Sequence, residues 1–485
     1  MASLIKSFAG VNTPDFLIID KVHLPPLPPS ELTSIDIPMK SGSQFVNKKH
    51  GNRTITIDLT IKAPGRDKVM SMGDQLADFL QYDEPQPIIF RDLPGRKYYA
   101  ILDGDTDLEK IEHLGKGSIK LICHDPHGYG EQRSYNITSD TTMLVNYGNR
   151  QTAPQISMTF TKNVTDFFIA TDKQSLYFGE PFDPTEKTVT DTKPVILNDP
   201  GSSTTDWLQA TNFNVDGGRV LGTIGSNGYS FSQAGKDYGT LSGLWHGGSM
   251  VRSLTKQIQD FELECQVGFA SSNKNQKGRI EIYLLDINNN QLGKIAIRDI
   301  WNNLDNPQFE FWVGKVNGGG VSVTNTYGAY KGVFSNFNGI IEMGRVGKKW
   351  HCYIAKVDSN GRAHTRHYKA FTDWQNKYMQ KVAKIQLHIA AYDKDPAVDQ
   401  MWISNVYFRE ILSKQSNQVD YVFRTGDKLL IDCETGGIYK NGKLFLERLY
   451  PGSEFLLLDK AANGLVVSDY SAIKDGKVTF TERWL

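Results

Sequence analysis

The sequence predicts a mainly β protein in which one sandwich domain is interrupted by another. Three observations carry that reading. Short runs of alternating apolar and polar residues recur along the 485-residue chain, and 44 glycines supply turns between them. The final stretch, Gly426 to Leu485, reads as a meander with too few strands to close a domain, so its partners must lie upstream. Seven of the eight tryptophans (Trp207, Trp245, Trp301, Trp312, Trp350, Trp374, Trp402) fall between residues 206 and 410, which sets that segment apart from its flanks. At this length the chain calls for roughly three domains.

Composition narrows the function classes. A hydrophobic content of 39% with 22% charged residues is that of an ordinary globular protein. The 54 basic and 54 acidic residues cancel and form no basic stripe, which argues against nucleic-acid binding. Met1 to Phe8 lacks the apolar core of a secretory signal, and no later run is long enough to span a bilayer; synthesis in a cytoplasm and no membrane insertion are expected. Cys123, Cys265, Cys352 and Cys433 are far apart, the pattern of buried reduced thiols rather than of disulfides or a zinc site.

Residues 1–133 read as strands around one short helix. Phe16 to Ile19 and Val22 form a strand, and Leu24-Pro25-Pro26-Leu27-Pro28-Pro29 leaves it as an extended loop or arm. Thr54 to Ile61 alternates throughout, and Pro64-Gly65 stops it. Asp67 has the character of an N-cap, and Val69, Met72, Leu76, Phe79 and Leu80 gather on one helical face. Ile88-Ile89-Phe90, a turn at Asp92 to Arg96, Tyr98 to Leu102 and Gly117 to Cys123 complete the domain. His124 and His127 flank Asp125, but a turn explains the spacing and no third metal ligand is in view.

That order of elements resembles the N-terminal domain of the distal tail proteins of long-tailed phages of Gram-positive hosts. The alternating strand ending near Pro64, the helix from Asp67 to Leu80, the strand pair around Phe90 to Arg96, and the closing strand before Asp125-Pro126-His127-Gly128-Tyr129-Gly130 carry it. The resemblance implies a domain that assembles into a ring, typically a homohexamer, at the end of the tail tube. It also implies a location at the virion tail tip, with the tail-tube protein above and the tail-associated tip protein below.

In that family an Asn-x-Gly…Pro segment, here Asn146-Tyr147-Gly148 to Pro154, opens a galectin-like β-sandwich. Residues 134–205 would supply its first part, including Gln155 to Phe160, Phe167 to Ala170 and Ser175 to Phe178, and residues 411–485 its second. In the second part, Leu429 and Ile431 share one strand face, and Asn441-Gly442 between two alternating runs is a strong hairpin signal, because a type I′ turn needs positive φ at both central positions. Leu444 to Leu446, Glu454 to Leu458 and Val478 to Trp484 are the remaining strands expected.

Residues 206–410 then read as a domain inserted into a surface loop of that sandwich. Phe261 to Val267, Arg279 to Leu285, Gln291 to Arg298, Trp350 to Val357, Lys384 to Ile389 and Met401 to Arg409 alternate in the manner of a jelly-roll β-sandwich. The layout resembles jelly-roll carbohydrate-binding modules such as those inserted in the longer, evolved distal tail proteins. An aromatic surface suits a saccharide, since the apolar face of a pyranose stacks on a ring while amides and acids take its hydroxyls. Trp245, Trp301, Trp312, Tyr327, Tyr330 and Trp374, in Gly- and Asn-rich stretches where loops are expected, are the candidate saccharide-binding residues. Against this, tryptophans in sandwiches mostly pack the core; about four of the seven are expected there, Trp350 and Trp402 foremost.

Asp286-Ile287-Asn288-Asn289-Asn290 has the start of a calcium loop but not its glycine or terminal glutamate, so a hairpin turn is expected; structural calcium elsewhere in the jelly roll stays open, and no other cofactor is implied. His364 to His367 reads as an exposed polar turn. Three functions follow from these readings. The first is a structural tail-tip hub whose insert binds host cell-wall polysaccharide. The second is a glycosidase, for which Glu262, Glu264, Glu281 and Glu310 could supply carboxylates, although such strand positions are more often solvated. The third is a purely structural baseplate protein. No hydrolase motif, Walker loop or dinucleotide fingerprint is present, so binding without turnover is the expectation.

Overall fold

A computed structural model describes residues 4–62, 66–104 and 115–485. Strands hold 54% of the residues and helix 4%. Among the described residues no helix is long and apolar enough to cross a membrane.

In the N-terminal region the strand Arg53–Ile61 alternates strictly between buried and outward residues and lies between Leu17–His23 and Lys116–Cys123, antiparallel to both. The helix Arg66–Leu80 lays Leu76, Phe79 and Leu80 on this core, with Phe79 edge-on to Phe8 at 6.0 Å. The stop at Pro64-Gly65 lies outside the described residues, as does the Asp67 side chain expected to cap the helix, which begins at Arg66. Beyond the proline-rich segment the structure adds a feature that the sequence pattern did not reveal. Ser30–Asp36 and Ser43–His50 pair with each other alone, as an exposed two-stranded arm. Leu32, Ile35, Met39, Phe45 and Val46 are all exposed along it.

His127 and His124 do not converge. His127 Nδ1 meets Asp125 at 2.6 Å, and His124 lies 3.4 Å from the Asn52 amide. Burial would raise the Asp125 carboxyl, but hydrogen bonds from His127 and Tyr129 outweigh it and hold the group well below the usual carboxylate range.

One β-sheet continues from this region into the C-terminal sandwich, because Gly128–Asn136 pairs with Lys97 on one side and with Ile473–Trp484 on the other. Gln155–Phe160 lies between Ile473–Trp484 and Lys428–Asp432, so Ile156 faces both Val478 and Ile431. The second sheet runs Thr141–Asn146, Ala461–Val467, Asp166–Ala170, Ser175–Gly179. The two enclose one core, including Phe160, Phe167, Phe178 and Phe423. Asn441 and Gly442 have φ of 52° and 82°, as a type I′ turn requires. Two expectations fail in this region. Of Leu444 to Leu446 only Leu444 is in a strand, Lys443–Leu444. Glu454 to Leu458 is not a strand, although it makes the bridge Thr152–Leu458 and the Glu454 N–H donates to the Ser175 carbonyl at 2.8 Å, and the pairing role falls to Ala461–Val467. Leu456 and Leu458 are buried all the same; apolar alternation reported burial, not pairing.

Between these halves stands a sandwich of two eight-stranded sheets. It begins before residue 206. Val195–Asp199 pairs with Gln400–Glu410, Leu197 enters the core, and Asp199 accepts the Trp207 indole N–H at 2.8 Å. At the neck Thr188–Val189 runs beside Gln418–Val419, and Arg424 binds both Asp191 and Asp420. The core runs from Leu197 to Phe408 and is closed by Trp350 with no exposed surface. Asp286 Oδ1 accepts the backbone N–H of Asn288 and Asn290, which makes that segment a hairpin turn. His364 to His367 lies within the strand Ala363–Thr372 rather than in a turn. All four cysteines are free and buried, and burial pushes the Cys123, Cys352 and Cys433 thiols up to about 12.

Candidate functional site

The two sheets of the insert have different outer faces. The back sheet turns toward the C-terminal sandwich, where Lys443 is ion-paired to Glu264 and Glu342. The front sheet runs Trp245–Ile258, Val382–Tyr392, Gly278–Leu285, Gln291–Asp299, Gln308–Val313, Val321–Thr326. Ile280, Ile282 and Leu284 point into the core, so Arg279, Glu281 and Tyr283 project from the opposite face. Register fixes what stands beside them. Ser249, His388, Glu281, Ala296 and Glu310 form one row across the sheet, and Gly247, Ala390, Arg279, Arg298 and Gln308 form the next.

This face is charged yet closed from solvent. The Lys294 ammonium reaches Asp216 at 2.7 Å, Glu310 at 2.9 Å and Glu281 at 3.3 Å. Glu281 also accepts from the Tyr283 hydroxyl at 2.7 Å and from His388 Nδ1 at 2.8 Å, with Arg279 Nε at 3.1 Å. Ala210, Phe213 and Val215 cover Tyr283 and Leu285, and the Asp216 N–H donates to the Tyr283 hydroxyl. Burial would raise the Glu281 carboxyl, but Arg279 and Lys294 overcome it and hold the group far below its usual value. Burial would likewise lower Lys294, and its carboxylate neighbours raise it instead. For His388 burial prevails and lowers it, leaving a neutral ring. With Nδ1–H given to Glu281, the His388 Nε2 lone pair has no partner among the described residues, nor does Arg279 Nη2.

The carboxylates therefore do not have the solvated roles expected of them. Glu281 and Glu310 are 1% and 3% exposed and share one lysine. Glycoside hydrolysis needs one carboxyl that holds a proton and a second that is free to act on the sugar or on water. Glu281 is kept ionised, and the Glu310 carboxylate is engaged by Lys294 and by the Trp312 indole N–H at 2.6 Å. Glu262 binds Arg409 and Glu264 binds Lys443, both on the back sheet. The one group of potential metal ligands among the described residues, Glu262, Glu342 and His351, is also there, with the Lys443 ammonium paired to Glu342.

The six candidate aromatics divide. Trp245 is a strand residue, not a loop residue, and is 9% exposed; Arg279 sits 4.8 Å from its ring centroid and Tyr392 packs edge-on at 5.1 Å. Trp312, half-buried, is also on a strand. Trp301, 43% exposed, follows the strand Gln291–Asp299, and Tyr327 follows Val321–Thr326, so the two meet at one end of the front sheet. The Trp301 indole N–H donates to the Tyr327 hydroxyl at 2.9 Å. Tyr330 is exposed in the next segment, which Asn306 ties to the same end through the Gly332 N–H. Trp374 is 80% exposed but follows the back-sheet strand Ala363–Thr372, apart from the others. Trp207 and Trp350 are core, and Trp402 is half-buried. Arg279, Lys294 and His388 escaped the sequence reading, because charged residues on alternate strand positions look solvated until a covering segment is known.

Two family models match the chain, in the order the fold requires. Residues 15–123 match the phage tail protein RIFT-related domain, and residues 399–484 match the C-terminal domain of the siphovirus-type tail component. The chain belongs to the distal tail protein family of siphovirus-type phages. The distal tail protein of Bacillus phage SPP1 is 22% identical over 161 residues, which make up 33% of this chain and 64% of that relative, a little under two thirds of its length. The crystal structure of SPP1 Dit, described as a paradigm of the hub adsorption apparatus in phages infecting Gram-positive bacteria, is 21% identical with a TM-score of 0.31 over 36% of this chain and 74% of that one. The CBM2 module of the evolved Dit of Lactobacillus casei BL23 phage J-1 is 12% identical, with a TM-score of 0.40 over 47% of this chain and all of that one. A Bacillus licheniformis β-glucanase is 12% identical, with a TM-score of 0.28 over 46% and 100%. Likeness at these levels assigns no activity.

Proposed function

We propose that this distal tail protein is the hub of a tail tip, with copies closing a ring, in the family's manner a hexamer, between the tail tube and the tail-associated tip protein. Its insert binds host cell-wall saccharide through the front sheet and does not cleave it. The observation that carries the saccharide reading is the Trp301–Tyr327 pair at one end of the front sheet, where the Trp301 ring is exposed beside the exposed amide side chains of Asn302 and Asn303. Ring and amide surfaces side by side are what a sugar needs. The assembly reading is supported by the arm of Ser30–Asp36 and Ser43–His50, whose apolar residues have no cover within one chain.

A weak single site suffices, since copies in a ring act together; each is expected on the order of millimolar to micromolar. A fluorescent fusion of the full chain should decorate host cells and release no reducing ends from their walls. A folded fusion that leaves cells dark refutes the binding role, and released reducing ends establish the glycosidase instead.

A further inference from the structure

We propose that the groove between the back sheet of the insert and the C-terminal sandwich is a second saccharide site, which takes a neutral oligosaccharide segment. Gln266, Asn405 and Tyr407 line it from the insert, and Tyr439 and Asn441 from the sandwich, with the turn at Asn360 alongside. Its volume is 430 Å³, within the roughly 300–1,000 Å³ of small-ligand sites.

The walls are held in place. Lys443 clamps Glu264 and Glu342, Arg362 binds Asp432, and the Ala363 N–H donates to the Gly442 carbonyl at 2.8 Å. The hairpin Gly437–Lys440 with Lys443-Leu444 is therefore fixed to the insert at several points, and the space beside it is a formed cleft rather than a crack between loose bodies.

Chemistry identifies the ligand class. Most lining charge is spent inside the protein. Glu264 is paired with Lys443, and Asp427 accepts from the Arg424 N–H, from the Asn441 amide at 2.7 Å and from Lys440 at 2.9 Å. Lys428 and Asp475, which also line the groove, are of opposite charge. What remains is neutral and hydrogen-bonding. The side-chain amides of Asn198 and Asn360 and the hydroxyls of Tyr407 and Tyr439 have no hydrogen-bond partner among the described residues. Amides that both donate and accept, together with phenol rings from both walls, match the alternating hydroxyls and C–H faces of a sugar. A peptide added as a further strand would need a free strand edge. Here Gln155–Phe160 and Lys428–Asp432 are paired on both sides.

Local backbone geometry also points into the cleft. The pairing of Phe261–Ala270 with Gln400–Glu410 shifts register between Glu264 and Gln266, opposite Asn405, whose φ is 47°. Such a bulge re-aims side chains, and here the Asn405 side-chain amide donates to Gln266 Oε1 at 2.7 Å.

The test uses the full chain and neutral tri- to hexasaccharides of hexoses and N-acetylhexosamines, titrated by calorimetry and saturation-transfer NMR. Trp301→Ala removes the front-sheet contribution; a saturable site should survive it and weaken about tenfold in Tyr407→Ala or Tyr439→Ala. Asn360→Ala, on an exposed turn, should weaken the same site and serves where a tyrosine variant fails to fold. If Trp301→Ala abolishes all binding, the groove is no site although the front-sheet reading stands. Binding unchanged in Tyr407→Ala and Asn360→Ala, binding of muramyl peptides alone, or no binding by the wild-type chain would each overturn the proposal.

Discussion

Trp301 and Tyr327, which follow two different strands of the front sheet, are joined by an indole-to-hydroxyl hydrogen bond of 2.9 Å while both rings remain accessible. Truncating Trp301 to Ala should reduce attachment of the full chain to host walls about tenfold, a loss of one aromatic contact, without changing circular dichroism or melting. Attachment equal to that of the wild-type chain would remove the pair from the binding surface.

Trp245 should behave differently although it has the same side chain. It is shielded, and Arg279 lies over its ring. Trp245→Ala should cost about 3–5 kcal/mol, read as an earlier unfolding transition in denaturant. A variant of unchanged stability with weakened binding would restore it to the surface.

Lys294 is the one ammonium shared by Glu281, Glu310 and Asp216. Lys294→Ala leaves buried carboxylates uncompensated and should destabilise the insert by about 3–5 kcal/mol. Replacing Asp216, which keeps some exposure, should cost less. Equal effects in chemical denaturation would show that the cluster is not organised around the lysine.

Acid should weaken the insert in two stages. Burial lowers His388, so the unfolded chain binds a proton that the folded one refuses once the pH falls below about 6.5. The Glu281 carboxyl is depressed in the folded state, so its contribution is present above the unfolded value of about 4.3 and is lost as the pH drops through that value toward the folded one. Both effects act in the same direction. Melting temperature should decline below pH 6.5 and fall more steeply below 4.3, and His388→Gln should flatten the upper part. A Tm constant down to pH 4 would contradict the neutral buried ring.

The arm should govern assembly and not folding. Leu32→Asp with Phe45→Asp lies on an exposed ribbon, so the chain should fold normally yet run as a monomer in light scattering under conditions where the wild-type chain is expected to assemble. A ring that persists would place the contact elsewhere on the N-terminal domain.

The sequence by itself determined the mainly β class, the split sandwich and the hairpin at Asn441-Gly442, because alternation and turn chemistry are local. The incompleteness of the C-terminal meander exposes the insert, and the structure then pairs Ile156 of the upstream part with Val478 of the last strand. Only the tertiary structure decided which charges are buried. Nothing in Arg279-Ile280-Glu281-Ile282-Tyr283 says that residues 210–216 will fold over its polar face, since covering depends on contacts between distant segments. The same holds for Trp245 and Trp301. Both stand beside small or polar residues in the chain, and only their places, one inside a strand under Arg279 and one past a strand end beside Tyr327, separate the shielded ring from the one left open to a ligand.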